Sequence, residues 1–214
     1  MRLSVNIFTS LDGVVQGPGG PDEDTRGGFD RGGWFMPYTA DPMFGGIVDG
    51  WFAQADAFLL GRTTYDIFEA YWPQVTDPQD AVAAKINAGP RYVVSSTLRE
   101  PAWAGTTVID PASSDLATEV RALKDAPGGE LQVHGSARLA SSLHDLGLVD
   151  VYRVFVAPVV VGAGARLFDV GAAPSGFDAT RSQIGDGGLV YLELEPRPLE
   201  VAESQIVDGR NELR

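Results

Sequence analysis

The sequence predicts an α/β fold, with a mostly parallel central sheet, helices on both faces and an antiparallel edge built by the last strands. Three observations predict it. Short apolar runs rich in valine and leucine alternate with segments of helical spacing through the middle of the chain. Two of those runs pass directly into a glycine turn and then a helix, at Gly61 and at Gly135. Beyond Val149 the helical spacing stops, and strand-like segments follow, the last two joined by Gly185-Asp186-Gly187-Gly188, a hairpin signal.

Taken in order, Leu3 to Thr9 alternates and then runs apolar as a first strand, ended by the polar turn Ser10-Leu11-Asp12-Gly13. From Gly17 to Gly33 the chain is dense in Gly, Asp and Pro and reads as a mobile surface loop, too poor in apolar residues to enter a core. Trp34-Phe35-Met36-Pro37-Tyr38 then gathers large rings, which either plug the core or wall a flat pocket. Asp41-Pro42 looks like an N-cap with proline in the first helical turn, and Met43, Ile47, Trp51 and Ala55 follow at fourfold spacing into a buried strand at Ala57 to Leu60. Helical segments are predicted at Tyr65 to Tyr71 and Pro78 to Ala88, and strands at Arg91 to Ser95 and Thr106 to Ile109. Ser114 is read as the cap of a helix reaching Lys124. Glu130 to Val133 is the next strand, and the helix after it carries Leu139, Leu143 and Leu146. Val149 to Val161 is a long strand region broken by Pro158, and Phe177 to Ile184 and Leu189 to Leu194 close the sheet. The 214 residues read as a single domain, without an internal repeat.

Composition removes several functions. With no cysteine there is no disulfide framework, thiolate zinc site or cysteine nucleophile. A net charge of −13 argues against nucleic-acid binding, which needs clustered Lys and Arg. No apolar run approaches the length of a membrane span, and the N-terminus alternates like a strand rather than a signal peptide, so a cytoplasmic protein without membrane contact is expected.

The chemistry gathers at strand ends. Gly61-Arg62-Thr63-Thr64 offers close backbone approach, a forked cationic donor, hydroxyls and the N–H groups of a helix start, the parts that an anionic cofactor requires. An ordinary strand-to-helix turn with a capping threonine and a solvated arginine would read the same way. Ser95-Ser96-Thr97 and Gly135-Ser136-Ala137 repeat the theme at two later strand ends. No G-x-G-x-x-G follows a predicted strand.

These pieces, together with Ser10-Leu11-Asp12-Gly13, Val133-His134-Gly135-Ser136-Ala137-Arg138-Leu139 and the late series Val149-Asp150, Pro158, Gly162, Gly164, Leu167-Phe168, occur in an order that resembles the dihydrofolate reductase-like superfamily. The likeness runs almost end to end and is strongest to the reductase half of the bacterial bifunctional deaminase-reductase of riboflavin synthesis, in stand-alone form. The resemblance implies a three-layer sandwich and an NADPH-dependent reductase passing a hydride to a small heterocyclic or carbonyl substrate, such as the pyrimidine of riboflavin synthesis. Dihydrofolate reduction, or a non-catalytic nucleotide-binding role, are the alternatives. By the same resemblance Gly61, Arg62, Thr63 and Thr64 hold the pyrophosphate and 2'-phosphate, Ser95, Ser96 and Thr97 lie toward the adenine, and Gly135, Ser136 and Ala137 lie against the pyrophosphate and nicotinamide ribose. A homodimer joined through the late strands is also implied. The deaminase half is ruled out in this chain, because its zinc signature needs paired cysteines.

On the substrate side Asp12 is the candidate for orientation or proton relay and Trp34 the candidate pocket wall, with a turn-capping aspartate as the plainer reading of Asp12. Asp41 and Asp49 both fit the acidic residue that folate reductases carry on their first helix. His134 either reaches a ribose or serves as a structural hydrogen-bonding residue, and His144 is expected at the surface. A hydrolase triad of Ser136, His134 and Asp150 can be written but needs geometry that sequence neighbours at a turn do not ensure.

Overall fold

The structure, a computed structural model, describes residues 1–207 and 210–213. Strands β1 (Arg2–Ser10), β2 (Ala55–Gly61), β3 (Arg91–Val94), β4 (Thr106–Ile109), β5 (Glu130–His134), β6 (Val151–Ala157), β7 (Ser175–Ile184) and β8 (Val190–Pro198) form one sheet in the order β4-β3-β2-β5-β1-β6-β8-β7. The first six neighbours run parallel, whereas β8 is antiparallel to both β6 and β7. Helices α1 (Pro42–Gln54), α2 (Arg62–Tyr71), α3 (Ala81–Ala88), α4 (Leu116–Asp125) and α5 (Ala137–Asp145) connect the parallel strands. A separate antiparallel pair, β9 (Ser204–Val207) and β10 (Arg210–Leu213), follows the main sheet. Among the described residues no helix is long and apolar enough to cross a membrane.

The two-residue period of the strands sorts side chains onto two faces. On one face Leu3, Val5 and Ile7 join Leu131 and Val133, covered by Val120 of α4 and by Leu139 and Leu143 of α5. On the other, Phe58 and Leu60 of β2 meet Phe52 of α1, Tyr65 of α2 and Ile86 of α3. The expected mostly parallel sheet with helices on both faces and an antiparallel edge is therefore present. One detail was not expected. Under α1, β1 and β5 present Ser4, Asn6, Glu130, Gln132 and His134, and β6 adds Arg153, all buried.

Several boundaries move for local reasons. Asp115, not Ser114, caps α4, its carboxylate accepting from Thr118 N at 2.9 Å. Asp80 caps α3 in the same way from Ala83 N, so that helix begins at Ala81 rather than near Pro78. β6 stops at Ala157, because Pro158 has no N–H to continue a ladder. Leu146 lies just past α5 and is exposed. The Gly17–Gly33 segment is anchored, contrary to expectation. The Gln16 amide donates to Asp24 O and Arg26 O, and Phe29 is buried against Val14 and Val161. His144 is also buried rather than on the surface, its ring nitrogens 2.9 Å from Tyr152 Oη and from Ala173 O. The chain before β7 has folded over the end of α5, a packing that helical spacing does not foretell.

Candidate functional site

The carboxyl ends of β1, β2, β3 and β5 open into one large cleft. Every residue of the three predicted turns lines it: Gly61, Arg62, Thr63 and Thr64; Ser95, Ser96 and Thr97; Gly135, Ser136 and Ala137. The far wall is apolar and comes from Phe8, Phe35, Phe44, Val48 and Trp51, with Asp49 among them, while residues Gln16 to Asp24 pass along one side.

Helix caps set two of the helix starts along this cleft apart from the other α-helices. The aspartates Asp41, Asp80 and Asp115 cap α1, α3 and α4 with their side chains, but α2 and α5 begin at Gly61 and Ser136 with no side-chain cap. The first-turn N–H groups of a helix have no partner within it, so these two uncapped starts keep donors that an anion can take. These two starts are tied to each other. Ser136 Oγ accepts from Gly61 N at 3.0 Å and lies 2.6 Å from Thr64 Oγ1. Gly135 and Ser136 take successive left-handed conformations, φ 59° and 57°, and among the described residues Ser136 is the one non-glycine with positive φ. Such backbone strain concentrates where a site must aim its groups. A Cβ on Gly61 would stand 2.8 Å from Ser136 Oγ, so the close approach of the turns requires glycine there.

Arg62 bonds Asp66 through Nε at 2.8 Å from each carboxylate oxygen, four residues along the exposed face of α2, and its terminal guanidinium nitrogens make no hydrogen bond among the described residues. Ser95 is buried and its hydroxyl accepts from Leu98 N at 3.0 Å and Thr97 N at 3.2 Å, so it shapes its turn, while Ser96 and Thr97 are exposed.

The two substrate-side candidates fare differently, for neither lines the cleft. Asp12 accepts from Ser10 Oγ at 2.7 Å, from Val161 N at 3.0 Å and from Gly162 N at 2.8 Å, and faces the Arg166 guanidinium. The Ser10 hydroxyl first, then the two backbone donors, hold its carboxyl down to about 2. It staples the loop after β6 to the end of β1. The Trp34 indole donates to Gln16 O at 2.8 Å, and the ring that enters the cleft wall is its neighbour Phe35, 1% exposed and stacked on Phe8 at 4.4 Å. Of the two helical acids, Asp41 is consumed as the α1 cap, and Asp49 lines the cleft. The Ser136, His134, Asp150 triad does not assemble: Asp150 accepts from Leu3 N at 2.7 Å and pairs with Lys124, away from both others.

Sequence reasoning missed the polar floor. Asn6 lines the cleft with an amide oxygen that is buried and has no hydrogen-bond partner among the described residues. Behind it Arg153 grips Glu130 through two bonds of 2.6 and 2.7 Å. Burial works to raise the Glu130 carboxyl, but the Arg153 hydrogen bonds and charge, with donors from Gln132 and Ser4, outweigh it and hold the group ionised. The matching polar positions of β1 and β5 were the available signal, although alternation usually marks a solvated face.

The chain matches the RibD C-terminal domain family over residues 2–191. It belongs to that family. Among members and neighbours, the uncharacterised protein YyaP of Bacillus subtilis (strain 168) is 28% identical over 169 residues, 78% of this chain and 80% of its own length. A putative riboflavin biosynthesis protein from Shewanella sp. PV-4 superposes with a TM-score of 0.66 at 20% identity, covering 92% of this chain and 99% of that one. Dihydrofolate reductase from Enterococcus faecalis, solved with NADP(H), superposes with a TM-score of 0.56 at 13% identity over 91% of this chain and 96% of that one. The RibD C-terminal fold is thus shared with dihydrofolate reductase, as the ordered motifs implied.

Proposed function

We propose that this RibD C-terminal domain is an NADPH-dependent reductase of a small pyrimidine-type heterocycle, in the manner of 5-amino-6-(5-phosphoribosylamino)uracil reduction. One observation carries the reading: two helices that start at the cleft, α2 and α5, have no side-chain cap, and Ser136 ties their starts together. That pair of N-termini suits a diphosphate. Arg62 stands in the same turn, its terminal nitrogens without a hydrogen bond among the described residues, and suits a 2'-phosphate, and Ser96 and Thr97 suit the adenosine end. When bound, the reduced nicotinamide supplies the hydride.

The chain's own residues do the rest. Phe35, Phe44 and Trp51 provide an apolar wall for a flat ring, Asp49 faces the substrate from α1 as the acid of the site, and the Gln16–Asp24 segment limits water at the edge. The exposed outer strand β7, with Ile184, and the exposed Leu199 and Val201 beyond β8 support a homodimer formed along that edge, to be checked by light scattering.

The test is titration with NADPH and NADH, followed by turnover with 5-amino-6-(5-phosphoribosylamino)uracil, dihydrofolate and a carbonyl panel. Arg62→Ala is expected to weaken NADPH by roughly ten- to a hundredfold, the worth of a hydrogen bond to a charged group, and NADH far less. Equal losses would remove Arg62 from the 2'-phosphate, no binding of either nucleotide would remove the reductase reading, and binding without turnover of any substrate would favour a nucleotide-binding homologue.

A further inference from the structure

A chain of buried hydrogen bonds runs from β6 beneath α1 to the floor of the cleft, and it ends on a histidine. Arg153 holds Glu130, and Glu130 Oε2 accepts from Gln132 Nε2 at 2.8 Å. The same amide nitrogen donates to Trp51 O at 2.6 Å. Both of its N–H groups are therefore spent on acceptors, and turning the amide over would set its oxygen against a carboxylate and a carbonyl. The orientation of Gln132 is settled by that pair of contacts. Its oxygen, Oε1, is then the atom 2.9 Å from His134 Nε2. An amide oxygen only accepts, so Nε2 must carry the proton. The ring itself is clamped, stacked on Phe52 at 4.7 Å and 12°. Nδ1 has no hydrogen-bond partner among the described residues, and His134 lines the cleft between Asn6 and Gly135. Burial, and then the nearby Arg153 charge, keep the imidazole neutral by pushing it down to about 3.

We infer that the Arg153–Glu130–Gln132 chain locks His134 in its Nε2–H form, so that Nδ1 is a fixed acceptor which selects ligands presenting an N–H donor to the cleft floor. His134 is the contact residue, and Gln132, Glu130 and Arg153 are positioning residues acting through it. A carboxamide and an aminopyrimidine both carry such a donor, so the donor can come from the cofactor or from the substrate. A ring that presents a carbonyl oxygen at this point meets a lone pair and is disfavoured. The inference rests on the reductase reading for its ligands, but its first half concerns the protein alone.

The protein has two histidines, so side-chain ¹⁵N spectra of the labelled chain are simple, and His134→Gln identifies the His134 signals by their loss. In the ligand-free protein Nε2 is expected among pyrrole-type nitrogens and Nδ1 among pyridine-type nitrogens. The reverse pattern, or an averaged one, overturns the inference. Gln132→Leu should release the lock and move both signals toward averaged positions, a change that mere destabilisation would not produce in a folded variant. Gln132→Asn, whose amide is withdrawn by one methylene, serves the same purpose should the leucine variant fail to fold. Addition of NADPH in one sample and 6-aminouracil in another should shift Nδ1 toward the pyrrole-type range in at least one, and the responding ligand names the source of the donor. No shift with either, while tryptophan fluorescence reports NADPH binding, overturns the inference and leaves the reductase reading standing. Absence of NADPH binding in fluorescence overturns the reductase reading, and the inference falls with it only if 6-aminouracil also leaves Nδ1 unmoved.

Discussion

Replacing Arg153 with methionine should turn an acid-sensitive ion pair into an alkali-sensitive defect. The Arg153 and Glu130 side chains are 4% and 6% exposed and joined by two short bonds, so removal of one partner strands a buried charge. In the native protein the folded-state pKa of Glu130 is depressed, which contributes stability above the unfolded value and loses it as pH falls through the folded one. In Arg153→Met only Ser4 and Gln132 still donate to that carboxylate, burial prevails, and the folded pKa rises above the unfolded one. The sign then reverses, with the penalty absent at low pH and growing as pH rises. At pH 7 the loss is expected to be about 3–5 kcal/mol, a large part of the ~5–15 kcal/mol that holds a typical domain together. Since one proton changes stability by at most ~1.4 kcal/mol per pH unit, roughly 2–3 kcal/mol should return between pH 7 and pH 5. Urea melts of both proteins at the two pH values, compared at equal m, measure this. Adding Glu130→Gln to Arg153→Met should recover stability relative to Arg153→Met alone. A cost under about 1 kcal/mol at pH 7, or one that is the same at pH 5, would refute the reasoning.

Three further variants test other parts of the site. Gly61→Ala should cost about 1–3 kcal/mol by overpacking against Ser136 and weaken NADPH, and Ser136→Gly in the same chain should relieve the clash; calorimetry of the pair decides. Asp12→Ala should lower the melting temperature while kcat and KM stay near native, because its oxygens bind Val161 and Gly162 rather than the cleft; in the intact protein this stabilisation should fade as pH falls toward about 2. A lost kcat with an unchanged melt would restore Asp12 to the chemistry. Asp49→Asn should lower kcat by roughly a hundredfold without changing NADPH affinity, read by single-turnover kinetics beside equilibrium binding.

Strand, turn and helix signals that act within a few residues were legible throughout. The apolar run before Gly61, the Asp41-Pro42 cap and the hairpin at Gly185 to Gly188 each appear where local physics puts them. The three polar turns were legible as strand ends, and parallel strands order such ends along one edge of a sheet, which is why they share a cleft. Asp12 and Trp34 lie outside the cleft lining, and His144 is buried, because each is held by a distant partner: Val161 and Gly162 for Asp12, the Gln16 carbonyl for Trp34, and Ala173 for His144.

What the chain's order of residues decided is therefore the sheet and the glycine turns at its strand ends, consequences of short-range propensity and the two-residue strand period, whereas Ser136 leaves α5 uncapped because its hydroxyl is engaged by the distant Gly61 and Thr64. The tertiary structure alone decided which of Asp41 and Asp49 faces the cleft, and that alternate residues of β1 and β5 form a buried polar floor instead of a solvated face. The reason is register. Asn6 stands beside both His134 and Arg153, across strands far apart in sequence, and only when α1 closes over them does a polar alternation become a buried network that must satisfy itself.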